Sequence, residues 1–107
     1  MKIILANGTE IQVTQATYDG HYVINYPNKQ AYQTDWDLME SANLADFKLY
    51  DGENLINRTL NTRLSSTQAI INPDNTVTGH FYFTGGTIVP NEYEQAGKIL
   101  LGEEESE

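Results

Sequence analysis

The chain has 107 residues, with 15 acidic against 6 basic residues, a formal net charge of −9 and no cysteine. This length fits one domain with a single modest core. The absence of cysteine excludes disulfides and thiol nucleophiles, and the negative charge opposes binding to nucleic-acid phosphates or anionic membranes. We therefore expect neither nucleic acid nor membrane as a direct partner, and no segment approaches the ~20 apolar residues of a membrane span.

The N-terminal quarter has the pattern of consecutive strands. Residues 2–6 are followed by Asn7-Gly8, a pair that favours a two-residue type I′ turn. Apolar and polar residues alternate over residues 9–17, and Asp19-Gly20 supplies a second turn signal before the alternating residues 21–26. The pattern predicts an N-terminal β-meander of three antiparallel strands.

A helix start follows this region. Thr34 has the chemistry of an N-cap, Asp37 stands three residues later, and Asp35 adds negative charge to the first turn. These signals predict a helix over residues 35–42. Its inward-facing residues would be Trp36, Leu38 and Met39, with Trp36 as the core anchor.

The middle of the chain reads as strands with one ambiguity. Residues 45–50 alternate and end at Asp51-Gly52, which predicts a strand. In residues 55–71, Ile56, Leu60 and Leu64 recur every four residues, a spacing that fits one helix face and also one strand face. Threonine and asparagine content and the turn signal at residues 72–75 favour two strands, or one long bent strand, with a helix as the alternative.

The C-terminal third completes the expected fold. Residues 76–84 carry apolar or aromatic side chains on both faces, which predicts an interior strand covered on two sides and ended by Gly85-Gly86. A second helix is predicted over residues 92–101. The fold class is therefore α+β: a mainly antiparallel sheet or small barrel of about six strands with two short helices. We expect one domain at residues 1–101 and a disordered acidic tail at residues 102–107.

Catalytic and metal-binding motifs are weak throughout. The serines lack the G-x-S-x-G elbow of hydrolases, and Gly85-Gly86-Thr87 lacks the lysine of a phosphate-binding loop. Asp19 stands two residues before His21, so a strand pairing that brought His80 alongside could make a carboxylate–histidine metal site. Two histidines on strands are more often half-buried polar residues, and a site needs three or four convergent ligands. The sequence therefore predicts a protein that is not an enzyme and has no metal or cofactor.

The most conspicuous polar feature is a run of carboxylates around a single base, Lys48. A carboxylate pair could serve glycosidase chemistry, but ~100 residues leave little material for a cleft, and a solvated face with helix-cap chemistry is the plainer interpretation. As the candidate partner-binding residues we take Asp35, Asp37, Glu40, Asp46, Asp51 and Glu53.

Two stretches carry a resemblance to a known group of proteins. The opening Met1-Lys2-Ile3-Ile4-Leu5-Ala6-Asn7-Gly8-Thr9-Glu10-Ile11 resembles the start of small uncharacterised proteins encoded in tail and baseplate gene modules of phages and prophages of Gram-positive bacteria. The sequence from Trp36-Asp37-Leu38 to Asp51-Gly52 is similar in style to their short helix, strand and acidic turn.

The resemblance implies a non-enzymatic accessory protein of tail or baseplate assembly. Such a protein would act by protein–protein contact with other phage structural proteins or with itself. Its location would be the host bacterial cytoplasm or the virion, which agrees with an N-terminal apolar run too short for a signal peptide.

The acidic composition supports an alternative of another class. Small acidic phage proteins can present carboxylates where a target expects phosphates. The alternative function is therefore inhibition of a host nucleic-acid enzyme, as a DNA mimic or an anti-CRISPR-like protein.

Overall fold

The computed structural model describes residues 1–17 and 20–89. In this part the chain forms nine strands and one α-helix, so the fold is α+β and mainly β. The elements are β1 (Lys2–Ile4), β2 (Glu10–Gln12), β3 (Gln15–Ala16), β4 (His21–Tyr26), α1 (Lys29–Asp37), a 3₁₀ turn (Asn43–Ala45), β5 (Asp46–Asp51), β6 (Asn54–Leu60), β7 (Arg63–Ile71), β8 (Val77–Thr84) and β9 (Thr87–Val89).

The strands form two separate antiparallel sheets, not one sheet or a small barrel. The five-stranded sheet has the order β2-β1-β5-β6-β9, and the four-stranded sheet has the order β3-β4-β8-β7. The two sheets share one core. Within it Phe47 of the five-stranded sheet contacts Tyr22 and Phe83 of the four-stranded sheet, with ring centroids 5.4 and 4.9 Å apart.

The first predicted hairpin is confirmed, but its turn differs. Strands β1 and β2 pair antiparallel around a loop of Ala6, Asn7 and Gly8, which Leu5 and Thr9 close with a hydrogen bond of 3.0 Å. A type I′ turn would need positive φ at Asn7 as well as Gly8. Here only Gly8 has it, at +89°. The type I′ prediction is wrong because the loop has three residues instead of two, and a loop of this length needs positive φ at one residue only.

The predicted three-stranded meander is also wrong, because the second strand changes sheets. The N–H of Val13 donates to the carbonyl of Met1 in the five-stranded sheet, and the next N–H, of Thr14, donates to Val23 in the four-stranded sheet. Strand β3 then pairs with β4. Residues 9–17 therefore belong to two hairpins, one in each sheet.

The helix begins six residues earlier than predicted. Asn28 caps it by accepting a hydrogen bond of 2.9 Å from the N–H of Ala31, whereas Thr34 lies inside the helix and donates to the carbonyl of Gln30. The earlier start makes Tyr32 the buried anchor. Trp36 packs against Tyr32 at 5.9 Å but is 44% exposed, so its predicted place in the core is wrong.

The inward orientation of the two following apolar residues is confirmed. Met39 is buried, and the partly buried Leu38 packs against the core. The second predicted helix, at residues 92–101, and the tail at 102–107 lie outside the described residues, so the division at residue 101 stays a prediction.

The strands of the second half were predicted more closely. Residues 45–50 form most of β5. Residues 55–71 form two strands, not a helix. The first strand ends just before Asn61, whose φ of +59° does not fit a strand. β8 does lie between two strands, but in the part of the chain that the structure describes only one face is covered. Phe81 on the inner face has no exposed surface, and Tyr82 on the outer face is 36% exposed.

At one end of the molecule the chain crosses between the sheets twice. It passes from β6 to β7 at Asn61-Thr62 and from β8 to β9 at Gly85-Gly86. The two crossings touch, since the hydroxyl of Thr62 donates to the carbonyl of Thr84 at 3.2 Å. A Cβ on Gly86 would lie 2.5 Å from the carbonyl oxygen of Leu60, so only glycine fits there.

The buried aromatic core predicts a large stability contrast between two substitutions. We expect Phe81→Ala to lower the free energy of unfolding by about 3–5 kcal/mol, because it leaves a cavity in a fully buried site. Trp36→Ala should cost about 1 kcal/mol, since the ring is half exposed. Urea titrations of both variants measure this, and equal losses would contradict the core as described.

The crossing at Gly86 generates a second prediction. Gly86→Ala should destabilise the protein more than Gly8→Ala, although both glycines have positive φ. A Cβ added at Gly8 would meet no atom within 4 Å, so the only cost of Gly8→Ala is the backbone strain of a positive φ, about 1–2 kcal/mol. Thermal melts of the two variants compare them, and equal shifts in Tm would show that the crossings do not pack tightly.

Candidate functional site

The six candidate carboxylates do not form one surface, and Asp35 is half-buried in a hydrogen bond to the sheet. It lies on α1, and its Oδ2 accepts a hydrogen bond of 2.7 Å from the hydroxyl of Tyr26 on β4. Burial raises the pKa of Asp35, and the hydrogen bond from Tyr26 opposes that rise. Burial and the nearby carboxylate raise the pKa of Tyr26 as well, so the phenol stays the donor. This carboxylate ties the helix to the four-stranded sheet.

Asp46 is neutralised by neighbouring bases on the outer face of the five-stranded sheet. Arg58, which lies opposite Lys48 on β6 and so diagonal to Asp46, donates from Nε and Nη2 to the two carboxylate oxygens, both at 2.9 Å. Lys48 adds a third contact at 4.0 Å. The hydrogen bonds from Arg58 hold the pKa of Asp46 below its usual range. Asp46 therefore contributes little free negative charge.

The other four carboxylates are exposed, in two groups. Asp37 and Glu40 lie at the end of α1 and just after it. Asp51 and Glu53 lie at the turn between β5 and β6. β5 runs from Asp46 to Asp51 between these two groups in the chain, and its two ends lie about 16 Å apart. The acidic run is continuous in sequence but divided in space.

The structure does bring the two histidines together. His21 Nε2 and His80 Nδ1 are 2.9 Å apart on the outer face of the four-stranded sheet, and His21 also stacks on Tyr82 at 4.4 Å. One imidazole donates to the other, and this hydrogen bond engages one ring nitrogen of each histidine. Within residues 1–17 and 20–89, no group of three histidine, aspartate or glutamate side chains is placed to hold a metal ion.

The long free edge of the four-stranded sheet is a feature that sequence reasoning missed. Within the described residues, the edge strands β2, β3 and β9 have two or three residues, whereas the edge strand β7 has nine. Proteins usually keep edge strands short or charged, because an edge presents unpaired N–H and C=O groups to other chains. β7 departs from this rule.

The side chains of β7 leave that edge accessible. A register shift between Leu64 and Ser66 disturbs the start of the strand, and residues 66–71 then pair regularly with β8. Residues 64–71 contain no charged residue and no proline. Ile70 and Ile71 are 44% and 51% exposed on opposite faces of the sheet. The one sequence signal for this feature was the uncharged run itself.

None of the helices in the described part of the chain is long and apolar enough to cross a membrane. α1, with nine residues, is the longest of them.

The two engaged carboxylates predict opposite pH dependences. The lowered pKa of Asp46 means that its contribution to stability is present above the ordinary carboxyl pKa of ~4 and is lost as the pH falls through its lower folded-state pKa. Asp46→Asn should therefore lower Tm at pH 7, and the difference from wild type should shrink in acid.

The raised pKa of Asp35 predicts the opposite dependence of stability on pH. Its contribution is present at low pH and is lost as the pH rises through the raised pKa. Asp35→Asn should keep the bond from Tyr26 and should remove this loss, so its Tm relative to wild type rises with pH. Melts of both variants between pH 3 and 8 measure the two trends. Parallel curves for wild type and variant would contradict either assignment.

Comparisons with known proteins gave no match. No family model matches the chain, and neither a curated protein nor a solved structure matches it.

Proposed function

We propose that this is a non-enzymatic accessory protein of phage or prophage tail or baseplate assembly, and that it binds a strand of another structural protein along β7. The observation that carries the proposal is the nine-residue edge strand of the four-stranded sheet, which carries no charged residue after Arg63. The phage context rests on the resemblance of the N-terminal half.

The backbone of β7 supplies the binding groups. In an antiparallel pair, every second residue turns its N–H and C=O away from the partner strand. Along residues 66–71, β8 occupies one side of the strand, and the other side has no partner strand among the described residues. An incoming extended segment would pair with these groups and extend the sheet, a common mode of peptide recognition.

The exposed isoleucines at the end of β7 supply apolar anchors. Ile70 projects from one face of the sheet and Ile71 from the other, so an added strand would cover part of both. Such anchors account for most of the binding energy in protein interfaces. The exposed acids Asp37, Glu40, Asp51 and Glu53 then belong to the surrounding surface, where charge affects the rate of encounter more than affinity.

The alternative, inhibition of a nucleic-acid enzyme by a DNA mimic, has less support from the carboxylates. A DNA mimic needs unpaired negative charges that are arranged in a regular array, like the phosphates of a nucleic acid. Asp35 is bound by Tyr26, Asp46 is paired with Arg58, and the remaining four residues fall into two groups. The geometry therefore favours strand addition.

A matched pair of substitutions tests the edge. Ile70→Lys places a charge on β7, a device that blocks edge pairing, and Ile56→Lys changes a residue of similar exposure on the other sheet. Each should change the free energy of unfolding by about 0.5–1 kcal/mol or less. In a phage lacking the gene, we expect wild type and Ile56→Lys to restore plaques and assembled tails, and Ile70→Lys to fail.

Two results would contradict the proposal. Full complementation by Ile70→Lys would show that β7 is not the contact. Inhibition of a host nuclease by the wild-type protein, abolished by Asp37→Lys with Glu40→Lys, would establish the alternative.

A further inference from the structure

A cavity of about 250 Å³ lies between the sheets at the end where the chain crosses twice. Its inner wall is aromatic, from Tyr22, Phe47 and Phe83. Asn57 and Thr59 line it from β6, and Ile88, which is 71% exposed, lines its outer part. The crossings between β6 and β7 and between β8 and β9 contribute Thr62 and Gly85 to its lining.

Tyr22 stands out among the buried tyrosines, because its hydroxyl has no hydrogen-bond partner within the described part of the chain. Tyr22 is 4% exposed. The hydroxyl of Tyr26 donates to Asp35, and that of Tyr32 is bonded to Thr67. Burial alone raises the pKa of Tyr22 to about 12, so its phenol keeps its proton. A buried hydroxyl left unpaired is unfavourable and rare in native proteins.

Two further polar side chains line the same cavity from the opposite sheet. Asn57 and Thr59 are opposite Leu49 and Phe47 in the β5–β6 register. Neither side chain makes a hydrogen bond within residues 1–17 and 20–89. An amide offers donors and an acceptor, and a hydroxyl offers both roles, so the three side chains together could satisfy several hydroxyl groups.

We propose that this cavity binds a neutral sugar residue. A pyranose ring presents hydroxyl groups at its edge and C–H groups on its faces. The hydroxyls would pair with Tyr22, Asn57 and Thr59, and a ring face would pack on the aromatic wall. The cavity is smaller than most sites for drug-sized ligands, which suits a single ring.

The lining disfavours charged ligands. Among the described residues that line the cavity there is no acidic or basic side chain and no histidine. A phosphate, a carboxylate or an amine entering it would lose hydration without gaining a counter-charge. The chemistry therefore separates neutral sugars from their acidic and amino analogues.

The test is an NMR titration of the full chain with D-glucose, D-galactose and N-acetyl-D-glucosamine, and with glucuronic acid and glucosamine as charged probes. We expect at least one neutral sugar to shift the amide signals of residues 57–59 and 83–85 in a saturable way. The charged probes should bind at least about tenfold more weakly.

Tyr22→Phe is the decisive variant, and Tyr26→Phe is its matched control. Tyr22→Phe removes only the unpaired hydroxyl, so Tm should hold or rise while sugar affinity falls about tenfold. Tyr26→Phe breaks the bond to Asp35, so Tm should fall while affinity is kept. Thr59→Val, which has the same shape, provides a second loss-of-binding variant should Tyr22→Phe fail to fold.

Three results would overturn the proposal. The first is the absence of saturable shifts with every neutral sugar, and the second is equal affinity for neutral and charged probes. The third is unchanged sugar affinity in Tyr22→Phe, or in Thr59→Val if Tyr22→Phe does not fold.

Discussion

The contact between the two crossings at Gly86 sets the arrangement of the rest of the structure. The chain leaves the five-stranded sheet after β6 and returns to it after β8, and both passages lie side by side against the carbonyl of Leu60. Because β6 and β7 follow each other but belong to different sheets, β7 is left with β8 as its neighbour and becomes an edge. The same two passages contribute Thr62 and Gly85 to the lining of the cavity that Tyr22 also lines. The edge strand and the cavity therefore both adjoin these crossings.

The local elements could be predicted from the sequence, and their assembly could not. Turn residues and alternation gave the β1–β2 hairpin, β5, and the division of residues 55–71 into two strands, because these signals depend on neighbours in the chain. The exchange of sheets at Val13 and Thr14 has no such signal, since both residues suit a strand in either sheet. Trp36 was misplaced for a related reason: its size favours burial, but the start of α1 at Asn28 places Tyr32 in the core.

The candidate site shows the same limit more sharply. The six carboxylates taken as candidate partner-binding residues are close together in sequence, yet their positions on α1, at the two ends of β5 and in the following turn separate them. Pairing of Asp46 with Arg58 depends on the β5–β6 register, and bonding of Asp35 to Tyr26 depends on how the helix packs. Likewise Tyr22, Asn57 and Thr59 come from two sheets, so nothing in their spacing along the chain indicated a shared cavity. Local charge patterns do not carry this information.

The geometry also separates the two proposed binding regions. Arg63, at the start of β7, lies beside Gly85 at the cavity end, whereas Ile71 ends the strand opposite Val77. Eight residue steps of β-strand place about 26 Å between those ends, and three steps place about 10 Å between Arg63 and Ser66, where the added strand would begin. The isoleucine anchors lie at the far end, and residues so far apart without shared contacts act nearly independently in their energetics. A strand added along residues 66–71 would therefore leave the cavity open, and one molecule could hold a structural partner at one end of the sheet and a sugar at the other.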